Sequence, residues 1–178
     1  MAKINLAEIK VEKKGQVPPQ FRDRVKLRVK DAVFGVAKQS GRDMITLTCE
    51  IVEPEKYLCP LDGQTYILDQ FELVYYLSVE GENKEKTDFH LGRLRDFHEK
   101  LGLPLDFDPE TDVKLYRNVL FSTILTAFQD NPTKKDEEGK YVPITDDDGK
   151  PIQGKWKFNT SIDNVLCATT TKRELKPF

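Results

Sequence analysis

Two stretches of the chain interleave basic with apolar or aromatic side chains at a spacing of two, the pattern that lets an extended strand present one chemistry on each face. The first is Arg22, Arg24, Lys26, Arg28 and Lys30, which alternate with Val25, Leu27 and Val29. Alternate residues on a strand stand roughly 6.6–7 Å apart. That is close to the phosphate repeat of an extended single strand, so several of these cations could follow one backbone. The same alternation would equally give a solvated outer face or an edge strand guarded by charge. The second stretch is Lys155-Trp156-Lys157-Phe158, with Lys140 and Lys150 upstream. Basic and aromatic groups in alternation are what base stacking with phosphate neutralisation requires, although Trp156 and Phe158 share a parity and could both fill a core. Tyr75 and Tyr76 are adjacent, so one of them points away from the core unless the strand is buried on both sides, and Tyr76 is the stacking candidate. Lys38 and Arg42, in a loop, could reach a phosphate.

Catalytic and metal-binding patterns are weaker. His90 and His98 lie on one predicted helix about 12 Å apart along its axis, too far to share an ion. No HExxH, P-loop, GxSxG or CxxC pattern occurs. Cys59-Pro60-Leu61-Asp62-Gly63 is half a zinc knuckle without a second half. Asp146-Asp147-Asp148-Gly149 has the centre of a calcium loop, but Ile144 and Lys155 stand at the first and twelfth positions. Asp106, Asp108, Glu110 and Asp112 follow helix capping more naturally than nuclease metal ligation. No enzyme, cofactor or metal is expected.

The elements that must position the basic and aromatic residues are mainly strands. Residues 24–30 and 44–52 read as a hairpin around a long, flexible turn, Gly35 to Asp43. A long strand, 66–79, follows and carries Tyr76. A helix over 88–101 has Thr87 or Asp88 as its cap, Leu94, Phe97 and Leu101 on one face, and Gly102 just past its end. A short second helix runs from Asp108-Pro109 to Tyr116. Residues 118–128 form a buried strand, and 155–165 the last one. Between them, 129–154 is a protruding loop in which two similar acidic turns, 136–140 and 146–150, flank Tyr141-Val142-Pro143-Ile144.

This order predicts a mainly β protein: a five-stranded OB-type barrel with a helix between strands 3 and 4, long loops and extended termini. Residues 1–20 form an arm, 21–166 the barrel domain and 167–178 a tail. In such a barrel the binding face lies on strands two and three and on the first–second and fourth–fifth loops. The whole chain carries a net charge of only -2, so attraction to phosphates must come from a local patch. The N-terminus lacks signal-peptide features, no apolar run approaches the ~18 residues that span a bilayer, and the three cysteines are too few for a disulfide framework. A reducing, cytoplasmic setting without a membrane partner is expected.

Val29-Lys30-Asp31-Ala32, Ser40-Gly41-Arg42-Asp43-Met44-Ile45-Thr46-Leu47 and Glu50-Ile51-Val52-Glu53-Pro54 carry a resemblance, joined by Leu91 to Phe97, Leu101-Gly102-Leu103-Pro104 and Asn159-Thr160-Ser161-Ile162. On these residues the chain resembles phage-encoded OB-fold single-stranded-DNA-binding proteins of replication and recombination. The resemblance covers residues 25–166. It implies non-sequence-specific binding of single-stranded DNA in a host cytoplasm, with Arg22, Arg24, Lys26, Arg28, Lys30, Lys38, Arg42, Lys155 and Lys157 on phosphates and Tyr76, Trp156 and Phe158 on bases. Pro177-Phe178 is similar to the end of bacterial single-strand binders but lacks their acidic run; it implies replication or recombination proteins as partners of the tail. The alternative is a structural or assembly module, homo-oligomeric or part of a virion, that uses the same barrel to bind protein.

Overall fold

The computed structural model describes Asn5, residues 12–160 and residues 165–167. In chain order its elements are β1 (Glu12–Lys14), β2 (Arg22–Val36), β3 (Asp43–Glu53), β4 (Lys56–Leu58), β5 (Thr65–Ile67) and β6 (Glu72–Ser78), then α1 (Lys84–Leu101), α2 (Pro109–Asp112) and a 3-10 turn (Val113–Tyr116). β7 (Leu120–Asp130), β8 (Thr133–Lys135), β9 (Tyr141–Pro143), β10 (Lys155–Asn159) and β11 (Leu166–Cys167) complete the chain. The protein is mainly β, with a five-stranded antiparallel sheet in the order β10-β7-β2-β3-β6. The chain divides into two compact units: residues 1–22, 56–67 and 125–159, and residues 23–55, 68–124 and 160–178.

The larger unit is built on β2, β3 and β6. Strict alternation drives Val25, Leu27 and Val29, then Ile45, Leu47, Cys49 and Ile51, then Leu73, Tyr75 and Leu77 onto one buried face. Leu94 and Phe97 of α1 are buried with them. Phe97 meets Phe121 edge-on at 5.7 Å, and Phe121 meets Tyr75 at 6.2 Å, spacings that favour ring packing. The Asn83 side chain caps α1 by accepting from the Lys86 amide, and the helix ends where Gly102 turns left-handed at φ 69°. The cap therefore falls earlier than Thr87 or Asp88. At the helix end, His98 is buried between Pro104 and Tyr116. Its Nδ1 can only donate to the Pro104 carbonyl, at 2.7 Å, so Nε2 accepts from the Tyr116 hydroxyl at 2.6 Å.

In the smaller unit β5 pairs with β1 in parallel and with β4 antiparallel. Phe21, only 1% exposed, packs edge-on against Tyr57 at 4.8 Å and Phe158 at 5.6 Å. Cys59 and Asp62 belong to the turn between β4 and β5. There Asp62 accepts from the Tyr66 hydroxyl and the Gln64 amide, which together hold its carboxyl below the usual range. The expected loop over 129–154 contains a ribbon, β8 paired with β9. Its two acidic turns share one geometry: Asp136 accepts from the amides of Glu138 and Lys140, and Asp146 from those of Asp148 and Lys150. Gly154 closes the excursion. A β-carbon there would lie 1.6 Å from the Asp130 carbonyl oxygen, so only glycine fits.

Three expected elements differ. The strand 66–79 is two strands, because Gln70 (φ 62°) turns the chain and the Phe71 amide bonds back to Leu68. The hairpin turn is short, since β2 runs on to Val36 and the Ala37 amide donates to the Arg42 carbonyl at 2.9 Å. The last strand is β10, ending at Asn159, with β11 a separate pair on β7.

Candidate nucleic-acid interface

The face of β2–β3–β6 opposite the core carries the basic ladder, and its register sets what each cation meets. Arg28 stands opposite Glu50 and Glu50 opposite Glu72; Val33 stands opposite Thr46 and Thr46 opposite Tyr76. From Lys26 to Lys30 the ladder is therefore a set of cross-strand ion pairs. The Arg28 guanidinium donates to Glu50 through Nε at 2.8 Å, Lys26 pairs with Glu53 at 3.1 Å, and Lys30 pairs with Glu72. Lys30 is the extra residue of a bulge between Val29 and Asp31. The Glu72 carboxylate, by its hydrogen bond and its charge, raises the Lys30 pKa and keeps the ammonium protonated. Arg24 donates to the Ser122 hydroxyl at 3.1 Å. Arg22, exposed at the start of β2, has no ion pair among the described residues. In the β2–β3 turn Lys38 is exposed, whereas Arg42 is half-buried and its charge reaches Glu82.

Of the adjacent tyrosines, Tyr75 is fully buried and Tyr76 is 59% exposed. Tyr76 shares the outer face with Val33 and Val74, both solvent-exposed. Beside it a cleft of about 190 Å³ is lined by Tyr76, Ser78, His90, Arg93 and Thr160 above Leu77, Leu94 and Phe97. Arg93 also lies 5.9 Å over the ring of Phe89, itself exposed at the surface of α1. Sequence reasoning missed the group Phe89, His90 and Arg93. The available signal was that Phe89 falls off the Leu94–Phe97–Leu101 stripe, where a large ring has no core to enter.

In the smaller unit the second motif divides. Phe158 is buried against Phe21, so its ring offers no face to a base, which corrects the stacking role expected of it. Trp156, two residues away on the same side of β10, is half-buried. Lys155 is exposed, and Lys157 pairs with Asp130 at 2.6 Å. The rings that do face solvent are Phe128, opposite Lys157 on β7, and Tyr141 on the ribbon, with Lys135 5.3 Å from its centroid. The arm up to residue 11, apart from Asn5, and the tail beyond Cys167 lie outside the described residues.

Each unit thus presents aromatic faces beside cations, an arrangement able to stack bases and meet phosphates. Comparison with protein-family models, with characterised proteins and with solved structures finds no match. No helix among the described residues is long and apolar enough to cross a membrane.

Proposed function

We propose that this protein binds single-stranded DNA without sequence preference, as a phage replication or recombination protein acting in the host cytoplasm. The reading rests on one observation: Tyr76 stands exposed on an antiparallel sheet face beside a cleft that contains His90 and Arg93. The strand order supports an OB-type reading. Taking β2, β3, β6, β7 and β10 as strands one to five, the sheet runs five-four-one-two-three, a five-stranded Greek-key ring laid open between three and five. In that reading Tyr76 sits on strand three and the β8–β9 ribbon is the fourth–fifth loop, both at positions where OB-folds bind oligonucleotides. Bases stack on Tyr76, and phosphates meet Arg93 and Lys38 in place of a bare ladder.

The test is anisotropy of a labelled oligothymidine titrated with the wild-type protein and with Tyr76→Ala. Stacking contributes about 1–3 kcal/mol per base, so the variant should bind roughly 5- to 150-fold more weakly. Wild-type affinity should also fall as salt rises. Equal affinities, or none, remove the proposal. The internal neutralisation of the ladder favours a second reading, an assembly module that contacts protein through Val33, Val74 and Tyr76. Sedimentation of wild type against Val33→Asp separates it: an oligomer that dissolves in the variant, with no DNA affinity in either, selects the assembly.

A further inference from the structure

The cleft beside Tyr76 has room for one unit of a strand, which leaves the next base to be placed. A cavity of roughly 150 Å³ holds benzene, so a cleft of about 190 Å³ takes one sugar-phosphate and not a stacked pair of bases. Tyr76 and Ser78 line it from β6, His90 and Arg93 from α1. A strand that crosses the cleft therefore leaves the sheet and arrives at the helix.

The ring it meets there is Phe89. On a helix that buries Leu94 and Phe97, this ring is 61% exposed, as open as Tyr76. Two neighbours hold it in place. The His90 imidazole lies edge-on at 5.7 Å, and the Arg93 guanidinium, one helical turn on, lies 5.9 Å over the ring centroid. Both of these side chains also line the cleft. Phe89 thus stands outside the cleft but is joined to it by two shared side chains. Charge sets a direction along the helix. Glu85, one turn before the ring, and Asp88, next to it, are exposed carboxylates that repel a phosphate, whereas Arg93 attracts one. The backbone is therefore drawn to the cleft side of the ring. An ordered, exposed ring beside a cationic cleft is the arrangement that stacks bases of a single strand.

We propose that Phe89 is a second base platform: successive bases stack on Tyr76 and Phe89, and the sugar-phosphate between them crosses the cleft against Arg93 and His90. The inference rests on the single-strand reading above and extends that site from β6 onto α1. The smallest ligand that fills the site is then a dinucleotide.

Anisotropy of a labelled oligothymidine, titrated at several salt concentrations, tests this with wild type, Phe89→Ala, Phe89→Leu, Phe89→Tyr and Tyr76→Ala. Phe89 is solvent-exposed, and circular dichroism checks that each variant keeps the helix. Phe89→Ala and Phe89→Leu should each bind roughly 5- to 150-fold more weakly, and Phe89→Tyr, which keeps a ring, should bind like wild type. The salt slope should stay the same throughout, because no phosphate contact is lost. Wild-type affinity in Phe89→Ala, with Tyr76→Ala impaired, overturns the second platform and leaves the first standing. Phe89→Leu at wild-type affinity also overturns it, since apolar bulk without a ring would then suffice. So does a flatter salt slope in Phe89→Ala, which would mean that the ring only positions Arg93. Wild-type protein that binds no oligothymidine removes the single-strand reading itself, and the second platform with it.

Discussion

The outer face of β2–β3–β6 and the β7–β10 edge carry the same kind of motif, basic residues alternating with apolar or aromatic ones, and the fold treats them in opposite ways. On the first face Lys26, Arg28 and Lys30 are paired with acids of β3 and β6, and one ring, Tyr76, is exposed. On the second, one motif ring, Phe158, is core, while the solvent-facing rings come from elsewhere, Phe128 and Tyr141. A run of charge along one strand thus says little about free charge, because the partner across the sheet decides how much is left for a ligand. Alternation fixes which side a residue faces; it does not fix which side is buried.

The sharpest way to break this contrast is to truncate one ring from each region. Phe158→Ala removes a ring packed against Phe21 and should destabilise the protein by about 3–5 kcal/mol, read by urea denaturation. Its affinity for oligothymidine, measured under conditions where it stays folded, should equal that of wild type. Tyr76→Ala should do the reverse, with a stability change within about 0.5 kcal/mol and the loss of binding given above. If Phe158→Ala weakened binding while leaving stability intact, the two regions would have exchanged roles.

Tyr75 and Tyr76 repeat the contrast on neighbouring residues. The Tyr75 hydroxyl is buried and has no hydrogen-bond partner among the described residues, and burial pushes its pKa up. An unsatisfied buried hydroxyl costs about 1–3 kcal/mol. Tyr75→Phe keeps the ring against Phe121 and removes that cost, so the variant should be more stable by roughly 1 kcal/mol. A thermal midpoint below wild type would show that the hydroxyl is satisfied.

Much of this was legible in the sequence, for local reasons. The alternation in β2 and β3, the outward placement of one of Tyr75 and Tyr76, and Gly102 at the end of α1 follow from periods of two and 3.6 and from the left-handed conformation that glycine tolerates. What was not legible depends on distant partners. Nothing near Arg28 or Lys30 in sequence announces Glu50 or Glu72, which arrive through β3 and β6. The break at Gln70 requires a non-glycine residue at positive φ, which its side chain does not signal. Phe128 looked like core because residues 118–128 carry apolar groups on both faces, and it is the register with Lys157 that shows it on an exposed side.

Cys49 reports on the integrity of the larger unit's core. Burial pushes its thiol up to about 12, from an ordinary value of 9.0. The folded-state pKa is raised, so the corresponding stability is fully present below pH 9 and is lost as pH rises toward 12. At pH 8, iodoacetamide followed by peptide mapping should leave Cys49 unmodified in the folded protein and modify it after denaturation. Labelling in native buffer would mean that the core opens far more readily than its packing implies.

The smallest effect tests the comparison most directly. Glu72 and Lys30 are both well exposed, their side chains 57% and 44% accessible, so Glu72→Gln should change stability by less than about 1 kcal/mol. It leaves the ammonium of Lys30 without its carboxylate on the face that carries Tyr76. If the ladder lies along the path of the DNA and is only masked, the released cation should engage a phosphate. For a single strand each added phosphate contact steepens the dependence of log K on log salt by about 0.7. Affinity at low salt should rise by up to about 5-fold, the equivalent of an exposed pair. Lys30→Gln in the wild-type background should leave the slope unchanged, because the paired ammonium holds no phosphate, and should lower affinity slightly, because the Glu72 carboxylate is left uncompensated. A slope unchanged in Glu72→Gln would move the phosphate path off β2, toward Arg93 and the β2–β3 turn. The ladder would then be a set of sheet-stabilising pairs and nothing more.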